Sequence, residues 1–222
     1  MLILATRNRK KLAEVVDLLA RYGVSGDAVR DVSVFDEGGE LAQYGPVPEV
    51  VEDGETFAAN AALKATQTAR FLAEQGVPPF ADGTGFVLGE DSGLCVDALK
   101  GAPGVYSARY AGTHGDDEAN NDKLLRELDD VPPEKRGAGY VSSVAVADPA
   151  GDVVLTAEDA CRGRIAAERR GTGGFGYDPL FEIRELHRTF GELPAAVKRA
   201  LSHRGRALRS LGPQLAGLLR SA

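Results

Sequence analysis

Two hydrophobic spacings alternate along the chain. Leu2 to Ala5 is a short continuous apolar run, the pattern of a buried strand. It stops at Thr6-Arg7-Asn8, after which Leu12, Val15, Val16, Leu19 and Tyr22 recur at three- and four-residue steps. That spacing predicts an amphipathic helix from Arg9 to Tyr22, closed by Gly23. The chain therefore opens as strand, polar turn and helix. A second helix is expected between Glu52 and Gly76, on the alanine-rich stretch Ala58 to Ala65, with Gly76 and Pro78-Pro79 as its stop. Phe86-Val87-Leu88 and Leu94-Cys95-Val96 read as short strand pieces on either side of a polar turn, Gly89-Glu90-Asp91-Ser92-Gly93. Asp116 to Leu128 predicts a surface helix that turns Leu124, Leu125 and Leu128 inward. Tyr140 to Ala147 and Val153 to Thr156 predict a hairpin across Asp148-Pro149-Ala150-Gly151. A last amphipathic helix from Ser202 to Leu219 uses Leu208, Leu211, Leu215, Leu218 and Leu219, with Pro213 expected to bend or split it.

Mixed strands and helices without strict βαβ alternation indicate an α/β fold on a mixed sheet. The 222 residues suffice for one large domain or two closely joined lobes. There is no internal repeat, linker or low-complexity stretch. No apolar run approaches the roughly 18 residues of a membrane span. Met1 to Thr6 is too short an apolar stretch for an export signal and lacks a basic start. Cys95 and Cys161 lie far apart with no metal-type spacing, as expected of reduced thiols in a cytosolic protein. The net charge of −7 argues against a basic surface for duplex nucleic acid. It leaves room for a small anion, because a cleft can be locally positive in an acidic protein.

Four constellations carry candidate chemistry. Thr6-x-Asn8-x-x-Lys11 sits at a strand-to-helix turn, where backbone N–H groups and the helix dipole favour an anion. The same residues also fit a helix cap and a solvated lysine. Glu52, with Glu90-Asp91-Ser92-Gly93, supplies hard oxygen ligands suited to magnesium and a carboxylate able to deprotonate a water; an exposed acidic turn is the alternative. Gly171-Thr-Gly-Gly-Phe-Gly-Tyr-Asp-Pro179 lets backbone approach a flat ligand closely, with Phe175 as a stacking face; in the alternative, Phe175 and Tyr177 turn into the core. Lys198 with Ser202-His203-Arg204 offers fixed positive charge and donors for a purine carbonyl. Together these supply a phosphate cradle, a metal site, a stacking face and base-edge donors, the components of a nucleotide-hydrolysing site. No Walker loop and no Gly-x-Ser-x-Gly elbow is present.

These motifs resemble the inosine/xanthosine triphosphate pyrophosphatases, enzymes that clear deaminated purine nucleotides. The match runs nearly end to end. It includes Thr6-x-Asn8-x-x-Lys11, Glu52-x-Gly54-x-Thr56-Phe57-x-x-Asn60-Ala61-x-x-Lys64-Ala65 and Glu90-Asp91-Ser92-Gly93-Leu94. It continues through Gly101-Ala-Pro-Gly-Val-Tyr-Ser-Ala-Arg-Tyr110, Gly171 to Pro179 and Ser202-His203-Arg204-Gly205. The resemblance implies a single pyrophosphatase domain over 1–222, with an elongated central mixed sheet and two helical lobes flanking a nucleotide-binding cleft. It also implies a cytoplasmic homodimer that uses Mg2+, with no nucleic-acid or membrane partner. On the matching positions, Thr6, Asn8, Lys11 and Lys64 would hold the triphosphate. Glu52, Glu90 and Asp91 would serve magnesium, and Asp91 would activate the water that attacks the α-phosphorus. Ser92 and Gly93 would present hydroxyl and N–H groups to phosphate. Phe175 would stack on the base within a loop that also contributes Gly176 and Tyr177. Asp178, Lys198, His203 and Arg204 would read the base edge.

The chain departs from the family pattern in three places. Glu90-Asp91 stands where many relatives have two aspartates. Phe80 to Gly89 is longer and is expected to add a hairpin; its Ala81-Asp82-Gly83 is not the acidic motif, because Leu94-x-Val96-Asp97-Ala98-Leu99 follows Asp91-Ser92-Gly93. Val197 replaces a glutamate before Lys198. A related septum-inhibitor type of pyrophosphatase would share the phosphate end but lack Ser202-His203-Arg204 and Gly173-Gly174-Phe175. A non-catalytic nucleotide sensor would predict binding without turnover, against which stand the intact Glu52, Glu90 and Asp91.

Overall fold

The computed structural model describes residues 1–221, with the side chain of Lys10 and the final residue, Ala222, outside the description. In chain order the elements are β1 (Leu2–Leu4), α1 (Arg9–Ala20), β2 (Val29–Asp31), α2 (Phe57–Glu74), α3 (Pro78–Ala81), β3 (Phe86–Val96) and α4 (Asp117–Glu127). They continue with β4 (Gly137–Ala147), β5 (Val153–Ile165), β6 (Phe181–Ile183), β7 (Arg188–Thr189), α5 (Ala195–Leu201) and α6 (His203–Ser221). The strands hydrogen-bond in the order β2-β1-β3-β4-β5-β6-β7. β1 runs parallel to β2 and β3, whereas β6 is antiparallel to β5 and β7, so the sheet is mixed. The β4–β5 connection is the expected tight turn, closed by Gly151 N–H on the Asp148 carbonyl at 2.9 Å and Asp152 N–H on Asp148 Oδ1 at 3.0 Å.

The chain forms two compact units. One holds residues 1–91, 143–158 and those from Ala207 onward; the other holds 92–142 and 159–206. In the first, strand alternation sends side chains into two separate cores. Leu2, Leu4, Phe86, Leu88, Val144 and Val146 pack with Val15, Leu19, Leu208, Leu211 and Leu215 of α1 and α6. Ile3, Val87, Ala145 and Ala147 face the other way, onto Ala61, Ala65, Ala69 and Leu72 of α2. In the second unit Leu94, Val96, Leu124, Leu128, Tyr140, Phe181 and Phe190 form one core. Neither cysteine forms a disulfide; burial pushes the Cys161 thiol up to about 11.

Three expectations are corrected. Gly89 to Gly93 is not a turn: β3 runs unbroken through it, with β1 paired to Phe86, Val87 and Leu88 and β4 as the neighbour of β3 on its other side. Phe80 to Gly89 adds no hairpin. Pro78-Pro79 start the short helix α3, Phe80 is buried, and Phe86 already belongs to β3. Pro213 does not split the last helix. It lacks an N–H for the Arg209 carbonyl four residues back, and the Tyr22 hydroxyl donates to that carbonyl instead, at 3.2 Å.

Tyr22→Phe removes this hydrogen bond and is expected to lower unfolding stability by about 1 kcal/mol, read from the urea midpoint. In a Pro213→Ala background the restored N–H takes over and the penalty shrinks; an equal penalty in both backgrounds rules out this role for Tyr22.

Candidate active site

α2 is placed by its own sequence. Thr56 caps it, its side chain accepting the Ala59 N–H, and alanines at Ala61, Ala65 and Ala69 make a flat, fully buried face. Gly89 lets that face come close to β3. A Cβ there would lie 2.2 Å from the Ala61 carbonyl oxygen and 2.8 Å from the Ala65 nitrogen. The close approach brings two α2 side chains, Asn60 and Lys64, onto Asp91 two residues further along β3.

Lys64 is 8% exposed. Its ammonium donates to Glu52 Oε2 at 2.9 Å and to Asp91 Oδ1 at 3.1 Å. Asn60 Nδ2 donates to Asp91 Oδ2 at 3.2 Å, and Asn60 Oδ1 accepts the Gly54 N–H at 2.8 Å. Burial raises the Asp91 pKa, and Glu52 beside it adds to the rise, while Lys64 and Asn60 oppose it. Burial would raise Glu52 too, but the Lys64 charge and hydrogen bond outweigh it and its pKa falls. Burial pulls the Lys64 ammonium down, yet Asp91 and Glu52 more than compensate and hold it protonated. The more deeply buried carboxylate of the pair is thus the better proton acceptor.

Glu90 has a different partner. Adjacent residues of a strand face opposite ways, so Glu90 turns toward α1, where Lys11 Nζ lies 2.7 Å from its Oε2. At the α1 entrance Asn8 is a cap, its Oδ1 accepting the Lys11 N–H at 3.3 Å, and Thr6 Oγ1 accepts the Asn8 N–H at 3.1 Å. Arg7, between them, pairs with Asp36 through two bonds of 3.0 and 3.1 Å and donates to the Val47 carbonyl at 2.9 Å. All of Thr6, Asn8, Lys11, Glu52, Lys64, Glu90 and Asp91 belong to the first unit.

Among the described residues no three His, Cys, Asp or Glu side chains are placed to hold one ion. Glu52 and Asp91 nevertheless share one cation, the Lys64 ammonium. A hard divalent ion usually takes one or two carboxylates and completes its shell with substrate phosphate, and this pair fits that requirement.

Ser92, Gly93, Phe175 to Asp178, Lys198, His203 and Arg204 belong to the second unit. Phe175 is half-buried, with Lys198 Nζ 4.7 Å and the Arg204 guanidinium carbon 5.8 Å from its ring centroid. Asp178 is buried; its Oδ2 accepts the Phe175 N–H at 2.8 Å and Lys198 Nζ at 2.5 Å. Burial raises its pKa against the pull of Lys198. Gly176 N–H donates to Asp117 Oδ2 of α4 at 2.7 Å. His203 lies buried and stacked on Tyr140, centroids 4.6 Å apart, and Arg204 Nη2 reaches Ser92 Oγ at 3.3 Å. Tyr177, expected in the ligand loop with core burial as the alternative, has its ring in the core. The residue is 3% exposed, its hydroxyl donates to the Ser107 carbonyl at 2.8 Å and its N–H to Tyr140 Oη at 3.2 Å, so it anchors the loop in the core.

Sequence reasoning passed over Asn60 and Arg7. Asn60 stood inside the quoted motif, and a polar residue on an alanine-rich helix face was the available signal. Arg7 carried none, since its partners Asp36 and Val47 lie far along the chain.

The sequence profile of the Ham1 family matches residues 2–214. A dITP/XTP pyrophosphatase of Rhodopirellula baltica is 54% identical over 99% of this chain and 95% of its own length. Another protein of that name from Shouchella clausii is 44% identical over 98% of this chain and 97% of its own. The solved structure of a HAM1 protein from Coxiella burnetii superposes with a TM-score of 0.77 at 34% identity, covering all of this chain and 98% of that one. A profile match over nearly the whole length and a full-length relative above half identity leave one assignment: the chain belongs to the Ham1 family.

Proposed function

We propose that this protein hydrolyses deaminated purine nucleoside triphosphates (deoxyinosine, inosine and xanthosine triphosphates) to the monophosphate and pyrophosphate. The observation that carries the reading is the buried Asp91–Lys64 pair with Glu52 on the same ammonium, in a chain 54% identical to a dITP/XTP pyrophosphatase. Two carboxylates whose pKa values are pushed in opposite directions around a buried lysine mark a candidate reaction site. The chain acts as one pyrophosphatase domain, in the cytoplasm and as a homodimer; among the described residues no helix is long and apolar enough to cross a membrane.

Magnesium is the cation that suits these oxygen donors, and Glu52 and Asp91 would hold it; Glu90, expected as a third ligand, is turned to Lys11 on the other face of β3. When bound it supplies charge neutralisation on the phosphates and lowers the pKa of nearby water. Asp91 takes a proton from the attacking water. The water oxygen bonds to the α-phosphorus, the bond from that phosphorus to the α–β bridging oxygen breaks, and pyrophosphate leaves with that oxygen. Lys64 and Lys11 offset the phosphate charge, and Thr6 and Asn8 orient phosphate oxygens at the α1 N-terminus. Ser92 and Gly93 add a hydroxyl and an N–H.

Phe175 stacks on the base, and Lys198, His203 and Arg204 present donors to its 6-oxo group, with Asp178 and Gly176 fixing the loop. Adenine carries an amino donor at that position, so buried donors would face a donor, a costly mismatch.

A triphosphate panel with magnesium tests the reading. Pyrophosphate release from deoxyinosine and xanthosine triphosphates should exceed that from ATP by about 100-fold or more in kcat/KM. Equal turnover of ATP would sink the specificity, and preference for a modified pyrimidine would favour the septum-inhibitor type instead. Asp91→Asn should abolish hydrolysis while nucleotide binding, followed by calorimetry, survives; full activity removes Asp91 from the chemistry. Phe175→Ala should weaken binding of every purine by about 1–3 kcal/mol, and an unaltered affinity assigns Phe175 to packing alone.

A further inference from the structure

Asn60 has no part in the reaction as described, yet it touches the carboxylate at its centre. It is 1% exposed, so its amide must find its partners inside the protein. The orientation of that amide follows from donor–acceptor arithmetic. Gly54 N–H can only donate, so the Asn60 oxygen faces it at 2.8 Å, and Nδ2 is left aimed at Asp91 Oδ2 at 3.2 Å. Gly54 is required at its position, because a Cβ there would lie 2.6 Å from Asn60 Oδ1 and 2.9 Å from the Ala59 Cβ.

The geometry closes a ring. Gly54 lies two residues after Glu52, so Asn60 ties the chain segment that carries Glu52 to Asp91. Lys64 ties the same two carboxylates directly, at 2.9 and 3.1 Å. One oxygen of Asp91 thereby meets the ammonium and the other meets the amide. Rotation of a carboxylate about its last torsion is soft. Held by Lys64 alone, Asp91 could swing to give both oxygens to the ammonium, and the direction in which it receives a proton would be lost.

We infer that Asn60 is a positioning residue: a relay from Gly54 N–H through the Asn60 amide fixes the rotation of the Asp91 carboxylate and its separation from Glu52. The inference rests on the proposed role of Asp91 in hydrolysis.

Three variants separate this role from simple packing. Asn60→Asp keeps the shape and the acceptor for Gly54 but removes the donor to Asp91. Asn60→Ala removes both without adding charge. Gly54→Ala displaces the Asn60 oxygen through a residue assigned no chemistry. Each Asn60 variant should lower kcat for deoxyinosine triphosphate by about 10- to 100-fold, with KM changed by less than about threefold. The loss should persist at temperatures where thermal denaturation shows the variant fully folded. Calorimetric binding of deoxyinosine triphosphate without divalent metal should stay within about threefold of wild type. Gly54→Ala should lower kcat as well, and Gly54→Ala/Asn60→Ala should lose no more than Asn60→Ala, because both break one relay. A kcat within about twofold of wild type for folded Asn60→Asp, a loss carried by KM, or losses that multiply in the double variant would each overturn the inference. Wild-type protein that releases no pyrophosphate from any triphosphate overturns the reaction itself, and this inference with it, before any variant is compared.

Discussion

One ammonium group organises the first unit's chemistry. Lys64 is buried on α2 and bonded to Glu52 and Asp91. Taking the Lys64 and Asp91 charges out of water is expensive, and their attraction, with that of the part-exposed Glu52, repays it only with good geometry. Removing one partner of such a group typically costs about 3–5 kcal/mol, because the remaining charge is stranded. The surrounding sequence is what makes the geometry good. Gly89 admits the helix, the alanine face of α2 lets it lie flat on the sheet, and the Thr56 cap starts it at the right residue. Packing and electrostatics are therefore one problem here: a side chain added at residue 89 would press on the α2 backbone and on the Lys64 Cβ, 3.1 Å away, and so shift the charges.

The second unit solves a different problem, how to hold an aromatic ring on a glycine-rich loop. The loop is fastened at its backbone. Asp178 takes the Phe175 N–H, Asp117 takes the Gly176 N–H and Tyr140 takes the Tyr177 N–H. Tyr177 sinks into the core and Phe175 stays near the surface among cations. Two aromatics two residues apart thus divide the work of anchoring and display.

Much of this was legible in the sequence. Helices with clear three-to-four spacing, at Arg9, Asp116 and Ser202, were found within a few residues of their ends, as was the β4–β5 turn. The misses have specific causes. Gly89 to Gly93 has turn composition, but pairing in the sheet overrides local preference. The short strands β2, β6 and β7 carry too few residues for a period to show. Pro213 reads as a bend or a split, and the split is absent because its remedy, the Tyr22 hydroxyl, comes from the far end of the chain. For the site, residue types and order gave the acidic and basic groups. Which lysine meets which carboxylate came only with the strand, since a turn would have left Glu90 and Asp91 free to face the same way.

The extended backbone of β3 sets different surroundings for the two acidic residues of the motif. Because β3 is extended, its two acidic neighbours look out on different worlds, one bordered by α1 and the other by α2. The side chain at residue 90 reaches toward Lys11, whereas Asp91 meets Asn60 and Lys64. The two letters of the motif are therefore under different constraints: the first must reach a lysine of α1, while the second is hemmed in by an amide and an ammonium of α2.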